Sequence, residues 1–169
     1  MKLLPATESR TLEGIWRRYG ERLILYAATL LKDRSQAEDV LHTLFVRFLS
    51  SGTLPPAEGE ATYLFTAVRN VALNDLRSLK RAHRAYSALL EPVTEDPWAI
   101  AQRGELWLRL ETALLELPPE EREAIVLKIW GEVSFAHGAE ISGVSAKTFE
   151  DRYYKGLGIL QEKLGHLHE

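Results

Sequence analysis

Apolar residues recur at intervals of three and four along almost the whole chain, and that spacing constrains the fold more than any other feature. Side chains spaced this way share one face of a helix and need a neighbour to cover them. From Leu12 the apolar set is Leu12, Ile15, Trp16, Tyr19, Leu23, Ala27, Leu30 and Leu31. After Lys32-Asp33-Arg34 it resumes at Ala37, Val40, Leu41, Leu44, Phe45, Phe48 and Leu49, with Ser35 and Glu38 placed as a capping box at the start. Ser50–Gly59 has the composition of a loop. A third helix then carries Leu64, Ala67, Val68, Val71, Ala72 and Leu76 and turns basic toward its end. No alternating pattern predicts a strand, and no repeat stands out. The expected class is all-α.

Periodicity weakens between about Ala85 and Ala101, where Pro92, Pro97, Glu95 and Asp96 fall. This stretch is the expected linker, with Trp98 docking it locally. The second half predicts four helices. The first carries Leu106, Leu110, Ala113, Leu114 and Leu117 and stops at Pro118-Pro119. Pro119 opens the next, with Glu120, Glu121 and Glu123 near its positive end. Two shorter units follow, Ser134–Ile141 and Ser145–Leu164, with Gly143 between them. The expected division is residues 1–84, a linker 85–103, and residues 104–169: two small helical domains, the second with helix-turn-helix proportions.

Charge narrows the function. The net charge of −3 conceals +4 over residues 1–86 and −7 over residues 87–169. A chain this acidic overall binds nucleic acid only through local patches. Zero cysteines remove disulfides, thiolate metal sites and cysteine nucleophiles together. The five histidines, His42, His83, His137, His166 and His168, show no metal-ligand spacing, and no nucleophile–base pair is recognisable. The expectation is a protein without cofactor, metal or catalysis. Met1–Pro5 lacks the apolar stretch of a secretory signal and no run approaches a bilayer span, so no membrane insertion and cytoplasmic residence are expected.

Two constellations stand out. Arg77, Lys80, Arg81 and Arg84 form a stripe on the third helix, below Arg69, Asn70 and Asn74, with Tyr63 and Phe65 upstream. Such a stripe suits phosphates, and such rings stack on unpaired bases. The same residues also make an ordinary solvated helix end with core aromatics. The second constellation is the pair of short helices, where Ser145 caps the second and Val144 staples against Phe149. It reads equally as a DNA-binding helix-turn-helix or as a hairpin completing a bundle.

Four segments in register tip this balance. Tyr19–Leu23, Asp33–Leu41 and Phe45–Leu49 resemble the first conserved stretch of extracytoplasmic-function (ECF) sigma factors of the sigma-70 family. Tyr63–Leu73 resembles that family's promoter-melting helix, Leu117–Leu127 the start of its second domain, and Gly143–Thr148 its helix-turn-helix turn. The resemblance implies promoter recognition and strand opening as a subunit of RNA polymerase. It implies core RNA polymerase and promoter DNA as partners and leaves room for an anti-sigma factor. Asp39, Phe45 and Arg47 are implied to meet or support the polymerase clamp contact. The loop after Ser50 is implied to capture a flipped −10 base, with Tyr63, Asn70, Asn74, Arg77, Lys80 and Arg81 along the opened strand. Lys147, Thr148, Arg152 and Lys155 are implied to face the −35 element.

Several positions depart from the family pattern: His42 and Thr43 on the clamp helix, Asn74 and Asp75, Gly138 and Ser142, and Glu150 with Asp151 on the recognition helix. From Ser134 to Leu164 four basic residues face four acidic ones, so this unit gains little from counterion release. The alternative is therefore a degenerate sigma-like protein that binds polymerase or an anti-sigma partner without reading the −35 element. A free-standing regulator using only its second domain leaves residues 1–86 unexplained.

Overall fold

The computed structural model describes residues 10–85 and 104–165, and among them are seven helices and no strand. They are α1 (Leu12–Leu31), α2 (Arg34–Ser51), α3 (Glu60–Ala85), α4 (Glu105–Glu116), α5 (Pro119–Ile129), α6 (Phe135–Ser142) and α7 (Ala146–Gly165). The expected linker, with Trp98, lies outside the described residues, as do His166 and His168.

Local chemistry sets most of the boundaries. The Thr11 hydroxyl accepts from the Gly14 amide at 3.1 Å and starts α1. Lys32, left-handed at φ 57°, ends it, its amide donating to the Ala28 carbonyl at 2.7 Å. The cap of α2 is Asp33, not Ser35: its carboxylate accepts from the Gln36 amide at 3.0 Å and from the Gln36 side chain at 3.0 Å. The capping box expected at Ser35 does not form, because Asp33, two residues earlier, takes the role. Gly52, at φ 65°, stops α2 where a side chain would be strained. Ser134 and Ser145 cap α6 and α7 through the amides of His137 and Thr148, each at 3.1 Å. Gly143 supplies the left-handed turn between them at φ 68°.

Helices α1, α2 and α3 pack together, as do α5, α6 and α7, with α4 against α7. The two groups also pack on each other: α1 meets α5 and α3 meets α6. One buried cluster runs from Leu23, Leu64 and Phe65 through Val126 and Leu127 to Ile141 and Phe149. At its centre lies α5, buried at seven consecutive positions from Glu121 to Leu127. A helix buried all round is covered on both sides, here by α1 and by α7. The buried Arg122 guanidinium donates to the Leu115 carbonyl at 2.8 Å, satisfying the C-terminal end of α4.

Gly138 has its own reason. A β-carbon there would lie 2.2 Å from the tip of the Phe149 ring, so α6 gives up a side chain to seat an aromatic from α7. Gly156 does the same where α7 crosses α5, a β-carbon there reaching 2.8 Å from Ile125.

Candidate polymerase and nucleic-acid interfaces

On α2 the predicted residues divide by depth. Asp39 and Arg47 are exposed, whereas Phe45 is buried, its ring edge-on to Trp16 at 4.8 Å between centroids. Phe45 thus belongs to the core beneath α2. Leu49, expected on the buried side, is 69% exposed, and Val46 is 47% exposed. With Asp39 and His42 they share one outward face at three-and-four spacing. Sequence spacing alone assigned Leu49 inward because it directly follows Phe48.

The loop between α2 and α3 is held by Arg10, which lies ahead of α1. Pro55 is buried, and its carbonyl accepts from the Arg10 guanidinium at 2.8 Å. Arg10 also pairs with Glu60, a buried carboxylate at the start of α3 that Arg18 approaches at 3.6 Å. Tyr63 rises from the first turn of α3, 44% exposed, resting on Phe48 at 6.3 Å between ring centres. Phe65, the other aromatic expected near bases, is fully buried against Tyr26 and belongs to the core.

Asn70, Asn74, Arg77 and Arg81 are exposed along α3. The Arg81 guanidinium donates only to the Arg77 carbonyl, at 3.3 Å, and neither arginine meets a carboxylate among the described residues. The side chains of Lys80 and Arg84 lie outside the described ones.

Arg69, about two turns before Arg77, behaves differently. Its Nε donates to the Glu123 carboxylate of α5 at 2.7 Å, and the Tyr26 hydroxyl of α1 donates to the same oxygen at 2.7 Å. Glu123 is buried. Burial, reinforced by the Glu123 charge, raises the Tyr26 hydroxyl well above its ordinary pKa. Burial alone would lower Arg69, but the hydrogen bond and charge of Glu123 outweigh it and hold the guanidinium above its usual value. The residues nearby form a cleft of about 500 Å³ with Pro56, Tyr63 and Asn70 on one wall and His137 and Glu140 of α6 on the other.

On α7, Phe149 and Gly156 are buried, Glu150 and Tyr153 are half-buried, and Lys147, Asp151 and Tyr154 are exposed. Every basic residue of the helix meets a carboxylate. Lys147 pairs with Asp151 at 2.6 Å, Arg152 with Glu120 at 3.2 Å, Lys155 with buried Glu121 at 2.8 Å, and Lys163 with Glu116. Lys147 and Lys155 are raised, each chiefly by the hydrogen bond to its carboxylate. Burial raises Glu121, but the Lys155 hydrogen bond and charge prevail and leave it below its usual value. The Thr148 hydroxyl lies 2.8 Å from that of Ser145 inside the cap. Glu121 and Glu123, read from sequence as complements to a helix dipole, are in fact the buried anchors of α7 and α3. No group of three metal-ligating side chains occurs among the described residues, and no described helix is long and apolar enough to cross a membrane.

Residues 15–82 match the family model for sigma-70 region 2, and residues 107–160 match the model for sigma-70 region 4. The chain therefore belongs to the sigma-70 family, of the ECF type, and is an RNA polymerase sigma factor. It is 28% identical to the RNA polymerase sigma factor CarQ of Myxococcus xanthus, over 92% of this chain and 90% of that protein. It is 23% identical to the ECF sigma factor SigX of Bacillus subtilis, over 94% and 86% respectively. Among solved structures it resembles the sigma factor RpoE of Bartonella quintana in complex with the anti-sigma factor NepR, with a TM-score of 0.71 and 25% identity, covering 90% of this chain and 96% of that one.

Proposed function

We propose that residues 1–84 carry the polymerase contact and the strand-opening surface, and that residues 104–169 supply a weak −35 contact, with 85–103 as the tether. Asp39 and Arg47 face the clamp beside Val46 and Leu49, while Phe45 sets the helix from beneath. Tyr63, Asn70, Asn74, Arg77, Lys80 and Arg81 follow the opened −10 strand; Lys147, Thr148, Arg152 and Lys155 approach the −35 duplex. The protein acts inside the cell, without catalysis of its own, and is open to capture by an anti-sigma factor, as its structural relative is.

One observation carries this division: the exposed arginines of α3 meet no carboxylate among the described residues, whereas all four cations of α7 do. A cation already paired has less to gain from a phosphate. The test replaces Arg77, Lys80 and Arg81 with Ala in holoenzyme and measures promoter binding against salt. Each lost single-strand phosphate contact should flatten the log–log slope by about 0.7. An unchanged slope returns the stripe to the status of a solvated helix end.

A further inference from the structure

The loop between α2 and α3 has little to hold it. It runs between two left-handed glycines, Gly52 at φ 65° and Gly59 at φ 68°. From one glycine to the other Pro55 alone is buried. Arg10 reaches that anchor across 45 residues of chain, its Nη2 donating to the Pro55 carbonyl at 2.8 Å. The same nitrogen donates to the Glu60 carboxylate. Among the described residues, no other side chain from outside α2, α3 and the loop itself donates to the loop.

Glu60 is the fixed point of this arrangement. It is the first residue of α3, its side chain is 8% exposed, and Arg18 of α1 approaches it at 3.6 Å. Taking one partner from a buried ion pair leaves the other charge uncompensated, so Arg10 is held firmly where it is. Its second hydrogen bond then ties the middle of the loop to the start of α3. Arg10 lies ahead of residues 15–82, the part of the chain that the region 2 model matches.

The loop also borders the proposed strand path. Pro56, Glu58 and Gly59 line the same cleft as Tyr63 and Asn70. The Tyr63 amide donates to the Gly59 carbonyl at 2.9 Å, so the exposed ring stands one helical turn from the end of the loop. An unpaired base stacked on Tyr63 therefore meets the loop beside it. Reading the edge of that base requires the loop to hold one shape, and a loop already in its bound shape binds with less entropic cost.

We propose that Arg10 is a positioning residue for −10 specificity: by tying the Pro55 carbonyl to Glu60, it holds the α2–α3 loop in the shape that reads an unpaired base lying against Tyr63. The inference rests on the −10 strand following Tyr63 and Asn70, as proposed above. Arg10 acts through the loop and not by touching DNA. The short segment ahead of α1 thereby enters promoter choice.

The test compares the full chain with Arg10→Ala, Arg10→Lys and Arg17→Ala, each at limiting concentration in holoenzyme. The templates carry every single-base change across the −10 element. Arg10→Ala should lower transcription from the preferred template about tenfold, the loss expected when the loop is correctly shaped a tenth of the time. Templates with a wrong base at the position the loop reads gain nothing from its shape. Discrimination at that one position should therefore fall by the same factor, while the other positions keep theirs. Arg10→Lys, whose ammonium can donate to both oxygens, should restore most of it. Arg17→Ala removes another exposed arginine and breaks only the pair with Glu13, and should change nothing. An even loss across all templates makes Arg10 a residue for stability alone and overturns the proposal. Should Arg10→Ala fail to fold, Glu60→Gln, which removes the charge and keeps an acceptor, must weaken discrimination at one position, or the proposal fails. An unaltered holoenzyme with no base preference in the −10 element contradicts the reading of Tyr63 and Asn70, and this inference with it. A preference that survives Arg10→Ala undiminished overturns this inference alone.

Discussion

Single residues decide how tightly the second domain is built. Gly138 costs about 1 kcal/mol in helix propensity relative to Ala, and from sequence it stands out only as a weakness. The Phe149 ring explains it. Gly138→Ala should therefore destabilise the chain by about 1–3 kcal/mol of overpacking, partly offset by the propensity gain. Urea unfolding would show a lower midpoint, and adding Phe149→Leu should recover part of the loss. A midpoint that rises would mean that the ring moves aside freely. Glu123 teaches a related lesson. Its position near the start of α5 suggested a dipole role, and nothing local distinguishes it from the exposed Glu120. Its partners, Tyr26 and Arg69, are remote in sequence and only the fold brings them together.

At the scale of elements the sequence was widely legible, because caps, turns and apolar spacing are local. The last three helices fall where Pro119, Ser134, Gly143 and Ser145 place them, whereas α2 is capped by Asp33 and not by Ser35. What spacing could not supply was depth. Leu49 follows Phe48 and reads as core, but it faces water; Phe65 reads as a base-stacking ring, but it packs on Tyr26. The charges of α7 are legible in the sequence, but their pairing is not. Glu150 and Asp151 stood out as carboxylates toward DNA, and the structure adds that Asp151 occupies Lys147 and that Glu120 and Glu121 occupy Arg152 and Lys155. Replacing Glu150→Lys with Asp151→Ser frees Lys147 and adds a cation. Holoenzyme carrying the pair should bind promoters with intact and scrambled −35 elements several-fold more tightly, most at low salt. If the unaltered protein instead discriminates strongly and the variant loses that discrimination, the carboxylates read bases, as an acceptor for the cytosine amino group can.

For the whole molecule, two domains were expected side by side on a tether, and the packing of one upon the other was not. The extra burial centres on α5, whose unbroken run from Glu121 to Leu127 has no outward face. In sequence that run shows only Ala124, Ile125, Val126 and Leu127 behind three charges, a pattern that an ordinary amphipathic helix shares. As a sigma factor this chain directs RNA polymerase to promoters and opens them. Multi-round transcription in vitro, with purified core polymerase and a randomised promoter library, tests it most directly. Adding this chain should yield transcripts from a discrete set of templates sharing a −10 motif, with little enrichment at −35, and the Arg77, Lys80 and Arg81 triple variant should lose them. Transcripts no more abundant or selective than those of core polymerase alone would contradict it.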